Sequence, residues 1–465
     1  MGGMRVLAGS AALAFVTAWS GAATPVFADT IEAALVRAYQ TNPQLNAQRA
    51  AVRATDENVP QALSGFRPKV AVTASGGYQY TDATQGAPGS PGQTLRGAQA
   101  PAALGATVSQ TLFDGFQTSN RTRAAEGQVS ASREGLRVLE QTVLLSAATI
   151  YMDYLRDSAI VEVQRSNVRV LEETLKQTRD RFNVGEVTRT DVAQSQAQLA
   201  AGRTQLMTAE SNLTTTRANF RRIVGNEPGQ LAPGSPVDRF FPTTLAGSVD
   251  LSLTQNPNVT AAMYGIDVSH LQVKVAEGAL FPTVSLQANV QQGYAQQLTM
   301  QKQFFASAIA QVTVPIYQGG AEYALIRQSK ETLAQQRLTL EQVRDQTRAS
   351  VVQAWGQLVA GKSQVASAQA QVEASEIAVN GIREEAKAGQ RTTFDVLNAQ
   401  QTLVNARVAL VTAQHDRVVA SYAVLNAVGR LSPQVLKLNT TVYDPSVHYH
   451  QVRDSWAGVR TPSGQ

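Results

Sequence analysis

The chain has 465 residues, no cysteine, four histidines and a formal charge of +5. The absence of cysteine excludes disulfides, thiolate metal sites, a cysteine nucleophile and a lipid-anchored mature N-terminus. Forty Lys and Arg are scattered among 35 Asp and Glu, so the one-sided basic face of a nucleic-acid binder is not expected.

Residues 1–28 read as a secretory signal. Arg5 supplies the positive start, Val6 to Val16 a short apolar run, and Val26-Phe27-Ala28 the small residues that signal peptidase reads. The mature protein is expected to begin at Asp29. No later stretch reaches the roughly 18 apolar residues of a membrane helix. A chain of this kind that enters a membrane must do so by strands.

The rest of the chain is a duplication. Asn42-Pro43 recurs as Asn256-Pro257, and Phe66-Arg67-Pro68 as Leu280-Phe281-Pro282, 214 positions on. Leu112 to Gly115 recurs as Ile316 to Gly319, Gly185 to Asp191 as Gly389 to Asp395, and Gly225 as Gly429, now 204 positions apart. The lost ten positions fall in Thr81 to Gly97, a Gly/Pro/Ser/Thr-rich segment whose counterpart near Ala295 to Gln303 is shorter. Length variation confined to a polar segment marks an exposed tip, expected here as a loop. The chain thus divides into the signal (1–28), a first repeat (29–226), a Pro/Gly-rich connector (227–246), a second repeat (247–430) and a tail (431–465), expected to lose order beyond Val452.

Each repeat reads helix, strand, loop, strand, long helix, tight turn, helix. Lys69 to Tyr80 alternates Val70, Val72, Ala74 against Ala71, Thr73, Ser75. Ala102 to Leu112, Thr283 to Tyr294 and Phe304 to Ile316 alternate likewise. At 11 to 13 residues these runs match tilted membrane strands. Tyr78, Tyr80, Phe113, Phe281, Tyr294, Phe304 and Tyr317 sit near their ends, where interfacial girdles belong.

No proline interrupts the chain between Pro101 and Pro228 or between Pro315 and Pro433. Both stretches are rich in helix formers. Val192, Leu199, Leu206, Leu213 and Phe220 recur every seven residues, as do Leu358, Val365, Val372 and Val379. A single helix from Gly115 to Arg181, about 66 residues, would span roughly 100 Å. That length suits a tunnel or stalk. Gly185 and Gly389 should end the long helices in left-handed turns.

Four strands cannot close a barrel, and open edges are costly in lipid. The chain must therefore oligomerise. Two copies give about eight strands, a barrel filled by its own side chains, and three give about twelve, with room for a pore.

These features together resemble the TolC family of outer-membrane efflux and type I secretion channels. The resemblance rests on the duplicated order of elements, the two Asn-Pro pairs, the prolines before the strands and the hairpins Arg181 to Val192 and Ala388 to Leu397. It implies an α+β membrane protein of the Gram-negative outer membrane. Three subunits would share a 12-strand barrel above a periplasmic α-barrel of coiled-coil helices. It also implies a passive duct, with porin-like conductance, for multidrug export or protein secretion. Its partners would be an inner-membrane RND or ABC transporter, a periplasmic adaptor and outer-membrane lipid. Arg391 would latch to Thr190 and Asp191. Asp395 would line the pore constriction, with Asn398 at a second position where the family carries aspartate, and Ala386 replaces the family's latch tyrosine. Val184, Gly185, Glu186, Ala388, Gly389 and Gln390 would dock the adaptor.

Two rival readings stand beside this one. A secreted coiled-coil stalk or adhesin explains the signal and heptads but not the repeated strand pairs. An enzyme would need a nucleophile–base pair, metal cluster or phosphate loop, and none is found. His448 and His450 flank Tyr449 with no further ligands in spacing, so neither a metal nor another cofactor is expected.

Overall fold

The computed structural model describes residues 29–86, 89 and 91–462. The secretory signal and the last three positions of the tail lie outside the described residues.

The first repeat opens with helix α1 (Ile31–Thr41), capped by the Thr30 hydroxyl, which accepts from Ala33 N at 3.3 Å. Asn42 stops α1 by turning extended, and its Oδ1 accepts from Gln44 N and Leu45 N at 3.0 and 3.2 Å to start α2 (Pro43–Asp56). Pro43 sits at the first helical position, where its missing N–H costs nothing. A short α3 (Asn58–Leu63) then leads to Pro68 and the strands.

Four segments follow: β1 (Lys69–Gly76), β2 (Gln79–Gln85), β3 (Gln93–Gln99) and β4 (Ala102–Phe113). The expected single strand Lys69 to Tyr80 is therefore split, and the expected loop Thr81 to Gly97 is largely a second hairpin. Gly76 pairs with Ala102 and Gln79 with Gln99, so one register runs through both hairpins. Gly77 N donates to Pro101 O at 3.0 Å across the break. Pro101 has no N–H to return, which is why the ladder lapses there.

Helix α4 (Gln117–Asn183) then runs 67 residues without a break, about 100 Å, and α5 (Arg189–Val224) returns along it. Gly115 enters the helix at φ +67°, and a Cβ there would meet Gly278 O at 2.3 Å. Only glycine allows that approach between the two repeats.

The second repeat copies the plan with α6 (Leu245–Gln255), Asn256, α7 (Pro257–Gly278), β5 (Thr283–Gln297), β6 (Met300–Thr313), α8 (Ala321–Lys387) and α9 (Thr393–Val428). Asn256 caps α7 as Asn42 caps α2. The β5–β6 turn is tight, with Ala295 at φ +48° where the register shifts. The β2–β3 extension has no counterpart here and accounts for the length difference between repeats. The strand expected over Phe304 to Ile316 begins earlier and stops at Thr313, before Pro315, which cannot donate to a ladder.

The main core lies where the repeats meet, midway along the helices. Tyr39, Leu144, Tyr151, Phe220, Tyr422, Leu425 and Leu431 are fully buried there. Each such side chain contributes about 1.5–3 kcal/mol. The heptad positions Leu199, Phe220, Leu358, Val372 and Val379 are all buried between helices, as their spacing predicts. The connector is stitched to this core. Val237 and Phe241 are buried, and Asp238 pairs with Arg417 of α9 and, at 3.1 Å, with Lys362 of α8.

The tail carries α10 (Ser446–Val452). His448 Nδ1 lies 2.9 Å from Asp56 Oδ2. Among the described residues no group of three or more His, Cys, Asp or Glu could hold a metal.

Candidate functional site

The strands form one antiparallel sheet in the order β1-β4-β5-β6. Register decides whether the alternation in each strand adds up to a face. Val72 pairs with Ala106, Ala106 with Val290, and Val290 with Ala306. The neighbouring row runs Val70, Val108, Ala288, Ala308. The other side carries Ala71, Thr107, Asn289, Ser307 in one row and Thr73, Gly105, Gln291, Phe305 in another. One face is thus mainly apolar across all four strands, with Gln110 and Gln292 as exceptions, and the other largely polar, with Phe305 and Ile309 of β6 as exceptions. The expectation from alternation holds at the level of the sheet.

Among the described residues nothing packs on the apolar face. Val72 is 71% exposed, Leu104 58% and Val312 62%. Such a patch on a protein bathed only in water is a liability, whereas lipid satisfies it. Tyr294 and Phe304 lie near one end of the sheet, Phe113 and Phe281 near the other. Tyr78 and Tyr80, expected at a strand end, sit at the β1–β2 junction instead, with the β2–β3 extension beyond them. Both outer strands, β1 and β6, keep one edge unpaired. Among the described residues no helix is long and apolar enough to cross a membrane.

At the far end of the long helices the chain reverses twice. Gly185 and Gly389 adopt φ +81° and +78°. Glu186 N donates to Arg181 O, and Gln390 N to Glu385 O, each at 2.9 Å, closing the helix ends. Val184, Gly185, Glu186, Ala388, Gly389 and Gln390 are all exposed at these tips.

The returning helices begin with identical capping boxes. Thr188 Oγ1 and N donate to Asp191 Oδ2 at 2.7 and 2.9 Å, and Asp191 N donates back to Thr188 Oγ1 at 3.3 Å. Thr392 and Asp395 repeat the arrangement at 2.8, 3.0 and 3.2 Å. Donation from Thr188 and from Thr392 holds both carboxyls below the usual aspartate range. Both are therefore ionised at neutral pH.

Asp395 and Asn398 stand one turn apart on α9. Asn398 is exposed, and its carbonyl accepts from Thr402 at 3.0 Å. Arg391 does not meet Thr190 or Asp191 within one protomer. Its Nε donates to Glu385 Oε2 of its own hairpin at 2.8 Å. Thr190 is exposed on the first turn of α5. A cleft of about 810 Å³ separates the hairpins, with Gln177, Arg181 and Glu186 on one wall and Arg383, Ala386 and Lys387 on the other. Deeper in, Leu397 packs with Val168, Leu171, Leu175 and Leu199, and Gln198 donates to Gln401 at 3.0 Å.

Two features escaped the sequence reading. Arg203 pairs with Glu172 at 2.8 Å and Arg407 with Glu376 at 2.7 Å, one clasp per hairpin at equivalent positions. The repeat of both charges 204 positions on was the available signal. The second is the pair Arg181–Glu186 at 3.0 Å, mirrored with inverted charge by Glu385–Arg391.

A lipid-facing half-sheet with open edges, continuous with two helical hairpins of this length, defines an outer-membrane channel subunit. The chain matches the outer membrane efflux protein family over residues 34–226 and 249–430, one block in each repeat. It belongs to that family. It is 40% identical over 438 residues to the outer membrane efflux protein BepC of Brucella suis, covering 94% of this chain and 93% of that one. It is 26% identical over 444 residues to the outer membrane protein TolC of Escherichia coli, covering 88% and 85%. The Campylobacter jejuni CmeC outer membrane channel superposes with a TM-score of 0.77 at 18% identity, covering 91% of this chain and 89% of that one. The fold is that of TolC-type channels, and the protein resides in the outer membrane.

Proposed function

We propose that three copies of this chain close a shared barrel of about twelve strands and form a passive exit duct continuing through the periplasm. The observation that carries this reading is the sheet itself: an apolar face, a largely polar face and two unpaired edges. Two copies would leave no lumen wide enough for cargo. A second feature supports oligomerisation. Leu338, Val352 and Val359 are exposed apolar side chains at seven-residue spacing along α8, interrupted by Asp345, and none of the described residues covers them.

A duct with no nucleotide loop needs an energised partner. An inner-membrane RND or ABC pump, reached through a periplasmic adaptor on the exposed tips, fits that need. Val184, Gly185, Glu186, Ala388, Gly389 and Gln390 offer the docking surface. Cargo includes small toxic compounds, secreted proteins or both.

At the closed end Asp395 and Asn398 line the constriction, and Arg391 exchanges Glu385 for the Thr190–Asp191 pair of a neighbouring hairpin. Exposed pairs of this kind are worth about 0.2–1 kcal/mol each, weak enough for an adaptor to break. An oligomer in outer-membrane fractions that dissociates only on heating, together with conductance in planar bilayers, tests the duct. A monomer without conductance would sink it. Deleting the gene and measuring both drug susceptibility and secreted protein separates the cargo classes.

A further inference from the structure

The tail is fastened at four points that run from the central core to the root of β1. Tyr443 N donates to Tyr39 Oη at 3.1 Å, and the Arg49 guanidinium lies over both rings, 4.6 Å from Tyr39 and 5.1 Å from Tyr443. His448 Nδ1 is 2.9 Å from Asp56 Oδ2 at the end of α2, and Asp56 is fully buried. Tyr449 Oη and Arg453 Nη2 both donate to Glu126 Oε1, near the start of α4, at 3.3 and 3.2 Å. Arg67 donates to Ser455 O and lies 4.8 Å over the Trp456 ring. Arg67 is separated from β1 only by Pro68, whose ring fixes the backbone there.

Among the described residues no tail contact of this kind reaches the root of β5, where Lys330 pairs instead with Glu277 at 3.4 Å. The positions equivalent to Asp56, Arg67 and Glu126 are His270, Phe281 and Lys330. There Phe281 packs against Gly115 instead. The difference follows the sheet order. The strand rooted at Phe281, β5, is interior and held by partners on both sides, whereas β1 is an edge strand paired only with β4.

We propose that the segment from Tyr443 to Trp456 is a strap that sets the angle at which β1 leaves the helical body, so that its free edge meets β6 of the next copy in one register. Arg67, His448 and Trp456 are positioning residues for barrel closure. This rests on the shared-barrel reading. A sheet edge has no intrinsic register, and a one-residue slip would turn its apolar face into the lumen. Fixing the root from outside the sheet removes that freedom.

Because the chain has no cysteine, pairs can be introduced across the seam. Ala71→Cys on β1 is combined in turn with Phe305→Cys, Ser307→Cys and Ile309→Cys on β6, and oxidative cross-linking between copies is measured in outer membranes. The intact chain is expected to favour one pair strongly. Truncation after Arg453, Arg67→Gln and Trp456→Ala should each cut that preference at least threefold. The helical circular dichroism of the protein should stay unchanged. If truncation blocks assembly, Trp456→Ala carries the test, since its ring is largely exposed. An unchanged preference in Trp456→Ala and Arg67→Gln would overturn the strap. No cross-link in any pair of the intact chain would remove the shared barrel itself, and the strap with it.

Discussion

The side-chain amide of Asn256 donates to the Ala427 carbonyl at 2.9 Å while its oxygen accepts from Asn258 N at 2.9 Å. One residue thereby caps the start of α7 and ties it to the end of α9. Asn42 does the same between α2 and Ile223 of α5, with a longer amide contact of 3.4 Å. Both lie beside the glycines that end the returning helices. A Cβ on Gly429 would fall 2.6 Å from the Asn256 Cα. These junctions fix how each hairpin hangs from the central core.

Asn256→Ala should therefore cost about 2 kcal/mol, roughly half from the lost cap and half from the lost bond to the carbonyl. Asn256→Asp keeps the cap and loses the donor, so about half that cost is expected. Asn42→Ala should be the milder of the two alanine changes. Thermal loss of helical circular dichroism ranks the three variants. Equal effects of Ala and Asp at position 256 would show that the cap contributes nothing, and a wild-type-like Asp variant would show the same of the amide donor.

A pH dependence is expected from His415. Its Nε2 lies 3.0 Å from Asp153 of α4 and its Nδ1 2.8 Å from Asp416. Burial disfavours the charged imidazole, but Asp153 and Asp416 outweigh it and raise its pKa above the ordinary value. Asp153 moves below the aspartate range: burial opposes this, but the His415 ring 3.0 Å away and the Arg156 charge prevail. A raised histidine stabilises fully below its unfolded pKa of about 6.5, and that gain fades as pH rises through the folded value. The lowered aspartate stabilises above about 4, and that gain fades as pH falls through its folded value. The link between α4 and α9 is thus strongest between about pH 4 and 6.5. Melting temperature should fall between pH 6.5 and 8.5, and His415→Gln should flatten that slope.

The two faces of the sheet should respond oppositely to charge. Val290→Arg puts a guanidinium on the apolar face and should cost about 2–4 kcal/mol, depending on depth. Thr107→Lys, on the polar face, should leave assembly intact and shift ion selectivity toward anions. Heat-stable oligomer in outer membranes reads the first and bilayer reversal potential the second. Equal tolerance of both changes would mean the faces are wrongly assigned.

Asp395 caps α9, and variants can separate that cap from its proposed place in the constriction. Thr392→Ala removes the acceptor of the Asp395 N–H, and about 1 kcal/mol of cap corresponds to roughly fivefold faster amide exchange at the tip. Asp395→Asn keeps an oxygen in the cap but removes the charge. Block of the channel by multivalent cations should weaken in Asp395→Asn and persist in Thr392→Ala. Unchanged block in Asp395→Asn would remove that residue from the constriction.

Much of the fold was legible in one dimension because it is local. Seven-residue spacing marks a helix seam whatever lies beside it, and the long run without proline let α4 reach within two residues of its expected bounds. Alternation located four strands, and the Asn-Pro and Gly repeats marked the joints. The β2–β3 extension was misread because Gly, Pro and Asp, which disfavour strands, punctuate it, and its order comes from register inherited from β1 and β4.

The sequence by itself determined the duplication, the long helices and the amphipathic strands, since each follows from periodicity. Only the tertiary structure decided that the apolar rows align across both repeats, that Arg391 pairs with Glu385 in a single chain, and that the tail reaches back to Asp56 and Arg67. The aligned rows and the tail contacts depend on partners hundreds of positions away, and the Arg391–Glu385 pair, though only six positions apart, depends on how the hairpin turn places both side chains.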